Sequence, residues 1–456
     1  MPKPKTISLF TGAGGLDLGF AAAGFDNAVA VEMHPAAVRT LTDPRNRHRW
    51  GAILPSDIHS LIDTDPKSGK KSAQRILEPA GLREGDADVL IGGPPCQPFS
   101  KSGYWATGDS KRLDDPRAQT LDAYFTVLQE ALPKVFLLEN VPGLAFNDKD
   151  EGLSFIRSRI ASIQGADYSF SAAQLNAAEF GVPQARSRVF IIGCRNDVCD
   201  PNGTRGLTFK FPVPTHALPI PVDMSSKAWT PATYPKTPDI LNRSPALTAW
   251  DAIGHLQEEG DSDKNLKLRG KWASVLPTIP EGFNYLWHTP RGGGIPIWGW
   301  RTRYWSMLLK TAKDRPSWTI TAQPGPAIGP FHWNDRRFST SELKAIQTFP
   351  HDYTITGSVL EAHFQAGNAV PSALAELLAR QIQRQFLGAP KTAPTPTLLP
   401  NRKPIPPPSS EYALASTLPS HIQKLASSHK KKHPGTGRGP GAKQSASEEA
   451  SSPRPQ

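Results

Sequence analysis

Over residues 1 to about 215, short apolar runs alternate with longer amphipathic stretches, and this rhythm limits the possible folds more than any other feature. The runs Thr6–Phe10, Ala28–Val31, Val89–Ile91, Val135–Leu138 and Val189–Ile192 read as strands. Leu16–Ala23 and Leu121–Leu132, between them, read as helices. Strands and helices in alternation predict βαβ units around a mostly parallel sheet, an α/β fold.

The rhythm breaks in the middle of the chain. From about 216 to 359 the sequence is rich in Pro and Gly, and it holds nine of the eleven tryptophans: Trp229, Trp250, Trp272, Trp287, Trp298, Trp300, Trp305, Trp318 and Trp333. A smaller, irregular second domain with its hinge is expected there. Helical spacing returns at Pro371–Phe386, with Leu374, Leu377, Leu378 and Ile382 as its apolar positions. Residues 360–388 are expected to complete the first domain. From 389 to 456 the composition turns to Pro, Ser, Lys and Gly, which predicts disorder apart from a weak helix near Glu411–Leu425.

Lys and Arg number 52 against 41 for Asp and Glu, a formal charge of +11. Seven of those charges lie from Lys391 onward, so the basic excess belongs mainly to the tail. It favours a polyanionic partner. Three cysteines, Cys96, Cys194 and Cys199, exclude a disulfide-stapled scaffold and a four-cysteine zinc site. The N-terminus passes straight into a strand, and no run of about 18 apolar residues appears anywhere. A cytoplasmic protein with no membrane segment is expected.

Several turns carry residue types suited to chemistry. Phe10-Thr11-Gly12-Ala13-Gly14-Gly15 joins the first strand to the first helix, where glycines let a ligand approach the backbone and the helix N-terminus adds positive potential. The same glycines equally suit a purely conformational turn. Glu32, at the end of the next strand, has the placement of an acid that accepts hydrogen bonds from ribose hydroxyls. Asp57, before Ile58, stands where an adenine amino group would meet it, although a solvated loop acid reads the same way.

Gly92-Gly93-Pro94-Pro95-Cys96-Gln97-Pro98-Phe99-Ser100 is more informative. Its prolines remove backbone donors and keep the segment out of helix and central strand. Cys96 is thereby presented on a rigid, irregular loop, where a nucleophilic thiol is useful. Cys194 and Cys199 read as structural. Glu139-Asn140-Val141 closes a strand on the same edge, and Gln184-Ala185-Arg186-Ser187-Arg188 leads into another. Two alternating arginines there suit oxygen acceptors such as a phosphate and a base carbonyl.

In this order the motifs resemble the C5-cytosine DNA methyltransferases. Arg337-Phe338-Ser339-Thr340-Ser341-Glu342, Gln347-Thr348-Phe349-Pro350 and Gly367-Asn368-Ala369-Val370-Pro371 extend the likeness from Ile7 to about Gln383. The resemblance implies a Rossmann-like S-adenosylmethionine-dependent methyltransferase domain joined to a target-recognition domain. It places Phe10, Gly12, Gly14, Glu32, Asp57, Ile58, Pro95 and Asn368 around S-adenosylmethionine, with no metal. It makes Cys96 the nucleophile, Glu139 the acid at the cytosine ring nitrogen and Arg188 the contact to the cytosine carbonyl. Arg186 is placed near the backbone of the flipped nucleotide. The implied partner is double-stranded DNA, with the enzyme acting as a monomer beside a cognate restriction endonuclease. The run 100–115 has the polar, Gly-containing character of a loop closing over DNA, and equally of a plain surface segment.

Departures from the family pattern are few. Ser8 stands where many members have Asp, Ser56 where Gly is usual, and Thr120 where an apolar cofactor contact is expected. An insertion with Lys67, Lys70, Lys71 and Arg75 precedes the cysteine loop. In the middle zone Arg291, Arg301, Arg303 and Lys310 lie among aromatics, which suits groove and phosphate contacts, while the tryptophans equally suit a small core. Other classes leave more unexplained. A catalytically dead DNA-binding relative would be expected to lose Cys96 or Glu139. A dinucleotide oxidoreductase needs only the glycine turn and Glu32. A tRNA-directed methyltransferase, the closest alternative, would carry Cys-Phe-Thr, which is absent.

Overall fold

The computed structural model describes residues 2–64, 71–95, 119–144, 151–199, 208–221, 233–234, 236–237, 240–298, 305–388, 396–404, 406, 418–422 and 424. Cys96, the run 100–115, Lys67, Lys70, Arg301, Arg303 and the basic end beyond Lys424 lie outside the described residues.

Seven strands form one sheet: β1 (Lys5–Leu9), β2 (Asp26–Val31), β3 (Ala52–Leu54), β4 (Val89–Gly92), β5 (Val135–Asn140), β6 (Tyr168–Asn176) and β7 (Ser187–Arg195). Their order is β3-β2-β1-β4-β5-β7-β6. The first five run parallel, and β7 is antiparallel to both β5 and β6. Both faces are covered, so the strands read as continuous apolar runs. Ile7, Leu9, Val29, Val31, Leu90, Phe136 and Leu138 share one core. Val89, Ile91, Val135, Leu137, Phe190 and Ile192 point into the other.

Helices α1 (Gly15–Ala22), α2 (Pro35–Thr42), α3 (Gln119–Ala131) and α4 (Glu151–Ala161) connect the strands. α5 (Thr340–Ile346) lies near the end of the middle region, and α6 (Val359–Asn368) and α7 (Ser372–Phe386) follow it. α7 returns to the first domain, where Leu374, Leu378 and Ile382 are buried with Val135 and Leu137. It packs on α1 through Gly19, where a Cβ would collide with Ala375 and the Ser372 carbonyl. Arg380 Nη2 and Gln383 Nε2 donate to the carbonyls of Ala22 and Ala23 at 3.3 and 3.0 Å, closing the contact.

Among the described residues between 216 and 359, two separate small cores stand out. Val275, Leu276, Phe283, Tyr285, Trp287, Trp298, Leu308 and Phe331 build the first. The second gathers Ala249, Ile253, Ile320, Trp333, Phe338 and Leu343 around Ala366 of α6, joining this region to the sheet domain. The pairing of Ser317–Trp318 with Gln184–Ala185 adds a second seam.

Two expectations need correction. Lys310 does not face outward: its side chain is 4% exposed and pairs with Asp335 at 2.5 Å, because a buried ammonium requires a counter-charge. The tail is not wholly without structure. Residues 396–404 lie on the folded body, and Leu418 and Ile422 are buried in the Trp-rich core.

Candidate active site and cofactor pocket

The carboxyl ends of β2, β1, β4 and β5 share one edge of the sheet, and the antiparallel β7 begins at that edge. The glycine turn, Glu32, the Gly93-Pro94-Pro95 segment, Glu139 and Arg188 therefore gather on one rim.

The turn after β1 is held in an uncommon conformation. Phe10, Gly12 and Gly14 have φ of 56°, 57° and 79°, a region that costs a non-glycine residue such as Phe10 about 1–2 kcal/mol. Thr11 N–H donates to the Val31 carbonyl at 3.1 Å and Gly14 N–H to the Thr11 carbonyl at 2.9 Å. A Cβ on Gly12 would meet nothing within 4 Å, so the turn is open on that side. Glu32 sits against it: Oε2 accepts from Gly12 N–H and Oε1 from His34 N–H, each at 2.6 Å. Each oxygen keeps a lone pair for a further donor, such as a ribose hydroxyl. The residues thus fit a nucleoside. Asp57 caps the short helix Ile58–Leu61 by accepting from His59 N–H, with Ile58 buried behind it. From the far end of the chain, Ala369 and Val370 press on Gly15, where any Cβ would strike them. This brings Asn368, the exposed last residue of α6, to the neighbourhood of the turn.

On the catalytic side, Arg188 Nε lies 3.0 Å from Glu139 Oε1, and their side chains are 18% and 12% exposed. Burial raises the Glu139 carboxyl above its ordinary range, while the guanidinium groups of Arg188 and Arg186 oppose that rise. Burial likewise lowers Arg188. Glu139 Oε2 reaches across to the loop that carries the cysteine, 2.8 Å from where a Cβ on Gly93 would stand. Asn140 Nδ2 donates to the Pro94 carbonyl at 3.3 Å, and Thr120 Oγ1 donates to the Pro95 carbonyl at 3.3 Å. These bonds fix both prolines that precede Cys96. The polar group at position 120 thereby holds the loop by hydrogen bonding.

Arg186 stands apart from the place expected of it. It is 1% exposed, and its Nη1 and Nη2 donate to the carbonyls of Ile320 and Gly367 at 3.2 and 2.9 Å. It ties β7's approach to the middle region and to the end of α6, which leaves it unsuited to a backbone phosphate. Cys194 and Cys199 are buried, and Cys199 Sγ donates to the Arg195 carbonyl at 3.3 Å.

Sequence reasoning missed Asp17. Third in α1, it is fully buried, and neither carboxylate oxygen has a hydrogen-bond partner. Desolvation raises it to about 7, opposed by Ser8 and assisted by Glu32. An acid between Leu16 and Leu18 in a buried helix was the available signal. Among the described residues, no group of three or more His, Cys, Asp or Glu could hold a metal ion.

A rim built this way is characteristic of α/β enzymes that seat a nucleoside over the carboxyl edge of a parallel sheet. Residues 4–384 match the sequence model described as C-5 cytosine-specific DNA methylase, and the chain belongs to that family. It is a C5-cytosine DNA methyltransferase. Type II methyltransferase M.SacI of Streptomyces achromogenes is 36% identical over 404 residues, covering 83% of this chain and 93% of that protein. Type II methyltransferase M.NgoFVII of Neisseria gonorrhoeae is 30% identical over 370 residues, covering 81% and 83%. A solved candidate DNA modification methyltransferase from an E. coli prophage shares the fold with a TM-score of 0.50 at 21% identity, covering 85% of this chain and all of that one.

Proposed function

We propose that this chain methylates C5 of a cytosine flipped out of a specific duplex DNA sequence, with S-adenosylmethionine as donor and a covalent Cys96 adduct at C6. The observation that carries the reading is the Glu139–Arg188 pair beside Gly93, three residues before Cys96. Phe10, Gly12, Gly14, Glu32, Asp57, Ile58, Pro95 and Asn368 hold the donor, and Glu32 takes the ribose hydroxyls. When bound, S-adenosylmethionine supplies an electrophilic methyl group.

Cytosine C5 is a poor nucleophile. Addition of the Cys96 thiolate to C6 converts the ring to an enamine nucleophilic at C5. Glu139, raised by burial, holds a proton at the ring nitrogen and offsets the charge that builds there. Arg188 donates to the cytosine carbonyl oxygen. Loss of the C5 proton expels Cys96. A stacked base is out of reach of a thiol on this rim, so the nucleotide must leave the helix. Arg186 positions the segment that carries Arg188.

The relatives' description as Type II methyltransferases supports a role in restriction-modification beside a cognate endonuclease. The same description favours DNA over tRNA as substrate. The family resemblance further suggests that the enzyme acts as a monomer. No described helix is long and apolar enough to cross a membrane. We place the enzyme in the cytoplasm, at the nucleoid through its substrate. A duplex carrying 5-fluorocytosine at the target tests the mechanism, because fluorine cannot leave C5 as a proton does. A denaturant-stable enzyme–DNA complex that forms only with S-adenosylmethionine is expected; a fully dissociable one overturns the C6 adduct.

A further inference from the structure

The family match ends at residue 384, yet the chain beyond it is held at three places on the body. The first is Glu376, a fully buried acid on α7. Arg380 reaches its Oε1 at 2.7 Å, and the remaining donors come from the tail. Thr397 N–H lies 2.8 Å from both carboxylate oxygens, Thr397 Oγ1 3.0 Å from Oε1 and Leu398 N–H 3.1 Å from Oε2. Leu398 and Leu399 pack on the same core as α7.

The second is Asp251, 3% exposed. Its Oδ2 closes the capping box with Thr248 at the start of the helix Ala249–Ile253, and its Oδ1 accepts from Lys403 N–H at 2.7 Å. Arg402 Nη2 donates to the Pro245 carbonyl at 2.5 Å. The third is the Trp-rich core, which buries Leu418 and Ile422 with Val275 and Phe283. A buried carboxylate needs donors, and hydrogen bonds to a charge are among the strong ones. The tail supplies them to one acid in the sheet domain and another at the junction. Six steps of chain join Thr397 to Lys403, a reach of at most about 22 Å, so while both contacts hold the chain bounds how far the two sites can part.

We propose that residues 396–404 form a strap that positions the middle, recognition region on the catalytic domain, with the Thr397 and Lys403 amides as positioning groups for target discrimination. The proposal rests on the functional reading above and adds a determinant outside the family's own span. Prolines 396, 400, 404 and 406 suit the role, since a stiff chain loses less entropy on docking.

The test uses the full chain. Lys403→Pro removes the amide hydrogen received by Asp251, and Lys403→Ala keeps it. S-adenosylmethionine affinity, KM and kcat on the target duplex, and the rate ratio between the target and a single-base variant are measured for each. For Lys403→Pro, discrimination is expected to fall or duplex KM to rise by about three- to tenfold, a fraction of the worth of one such bond, with cofactor affinity unchanged. Lys403→Ala should match wild type. Values within twofold of wild type for Lys403→Pro overturn the strap, as does a parallel loss of cofactor and duplex binding. If Lys403→Pro does not fold, a chain ending at 390 is assayed with and without a peptide of residues 391–426. Recovery of discrimination with the peptide supports the proposal, and no recovery by folded protein overturns it. A wild-type chain that methylates no DNA would instead defeat the functional reading.

Discussion

Arg188 Nε lies 3.0 Å from Glu139 Oε1, and the two residues come from adjoining antiparallel strands, β7 and β5. The cation opposes the effect of burial on the acid, so the pair sets the proton affinity of the group proposed to hold a proton at the base. The proton-holding form is lost as pH rises through the Glu139 pKa, which gives methyl transfer an alkaline limb. Arg188→Ala removes a charge that lowers that pKa, so this limb should move to higher pH. Single-turnover methylation across pH measures it, and a downward shift would contradict the arrangement. Glu139→Gln should slow transfer by about 10²- to 10⁴-fold, the usual worth of a positioned acid.

Cys96→Ser should abolish methylation while leaving folding and cofactor binding intact, because a hydroxyl is a far weaker nucleophile at neutral pH. Cys194 is 1% exposed, and burial pushes its thiol up, away from the reactive thiolate. Cys194→Ser and Cys199→Ser should retain activity. Methyl transfer by the Cys96 variant within about tenfold of wild type would remove the nucleophile from the mechanism.

The rim was legible in the sequence because each of its motifs ends or begins a strand, and parallel strands bring their carboxyl ends to one edge. The Glu139–Arg188 pairing was not, since an antiparallel register depends on how β7 returns to the sheet. Lys310 misled for a related reason: its counter-ion Asp335 is supplied by a distant turn. The strap was hidden by composition. A Pro-rich segment cannot build a core of its own, but composition is silent on whether Glu376 and Asp251 will receive its amides.

Asp17 makes stability depend on pH. Its pKa is about 7 in the folded chain and near 4 when unfolded, so between those values the native state binds the extra proton. Stability contributed by the protonated group is complete below about pH 4 and is lost as pH rises through about 7, a penalty of roughly 4 kcal/mol at the alkaline end. Asp17→Asn carries no such charge. The gap between variant and wild type in urea unfolding should widen in the variant's favour from pH 5 to pH 8. Parallel curves would show that the carboxylate finds a partner in solution.

Gly15→Ala and Gly12→Ala separate collision from strain. A Cβ at 15 strikes the Val370 carbonyl and Ala369, so that variant should push the Asn368 segment off the turn. At 12 the space is open and only the positive φ resists, at about 1–2 kcal/mol. Gly15→Ala should therefore lose more thermal stability than Gly12→Ala, whereas both weaken cofactor binding. Equal melting temperatures would mean that the α6–α7 junction yields freely.

Two truncations should divide the tail into parts with different work. Ending the chain after Lys424 removes six Lys or Arg and two Glu while keeping every strap contact described. Loss of those cations should reduce the dependence of DNA affinity on salt, each phosphate contact being worth about 0.9 in the log–log slope. Target sequence and unfolding midpoint should not change, because phosphate contacts carry no base information. Ending after residue 390 removes the tail's donors to Glu376 and Asp251, leaving the first with Arg380 and the second with Thr248; each hydrogen bond to a charge lost in this way costs about 1.5–3 kcal/mol. This second chain should unfold at lower urea and discriminate its target less well. Affinity measured from low to moderate salt, with bisulfite sequencing of plasmid from expressing cells, distinguishes the two. An unchanged salt slope in the first truncation would assign the basic end to solubility, and an unchanged midpoint in the second would detach the strap from the fold.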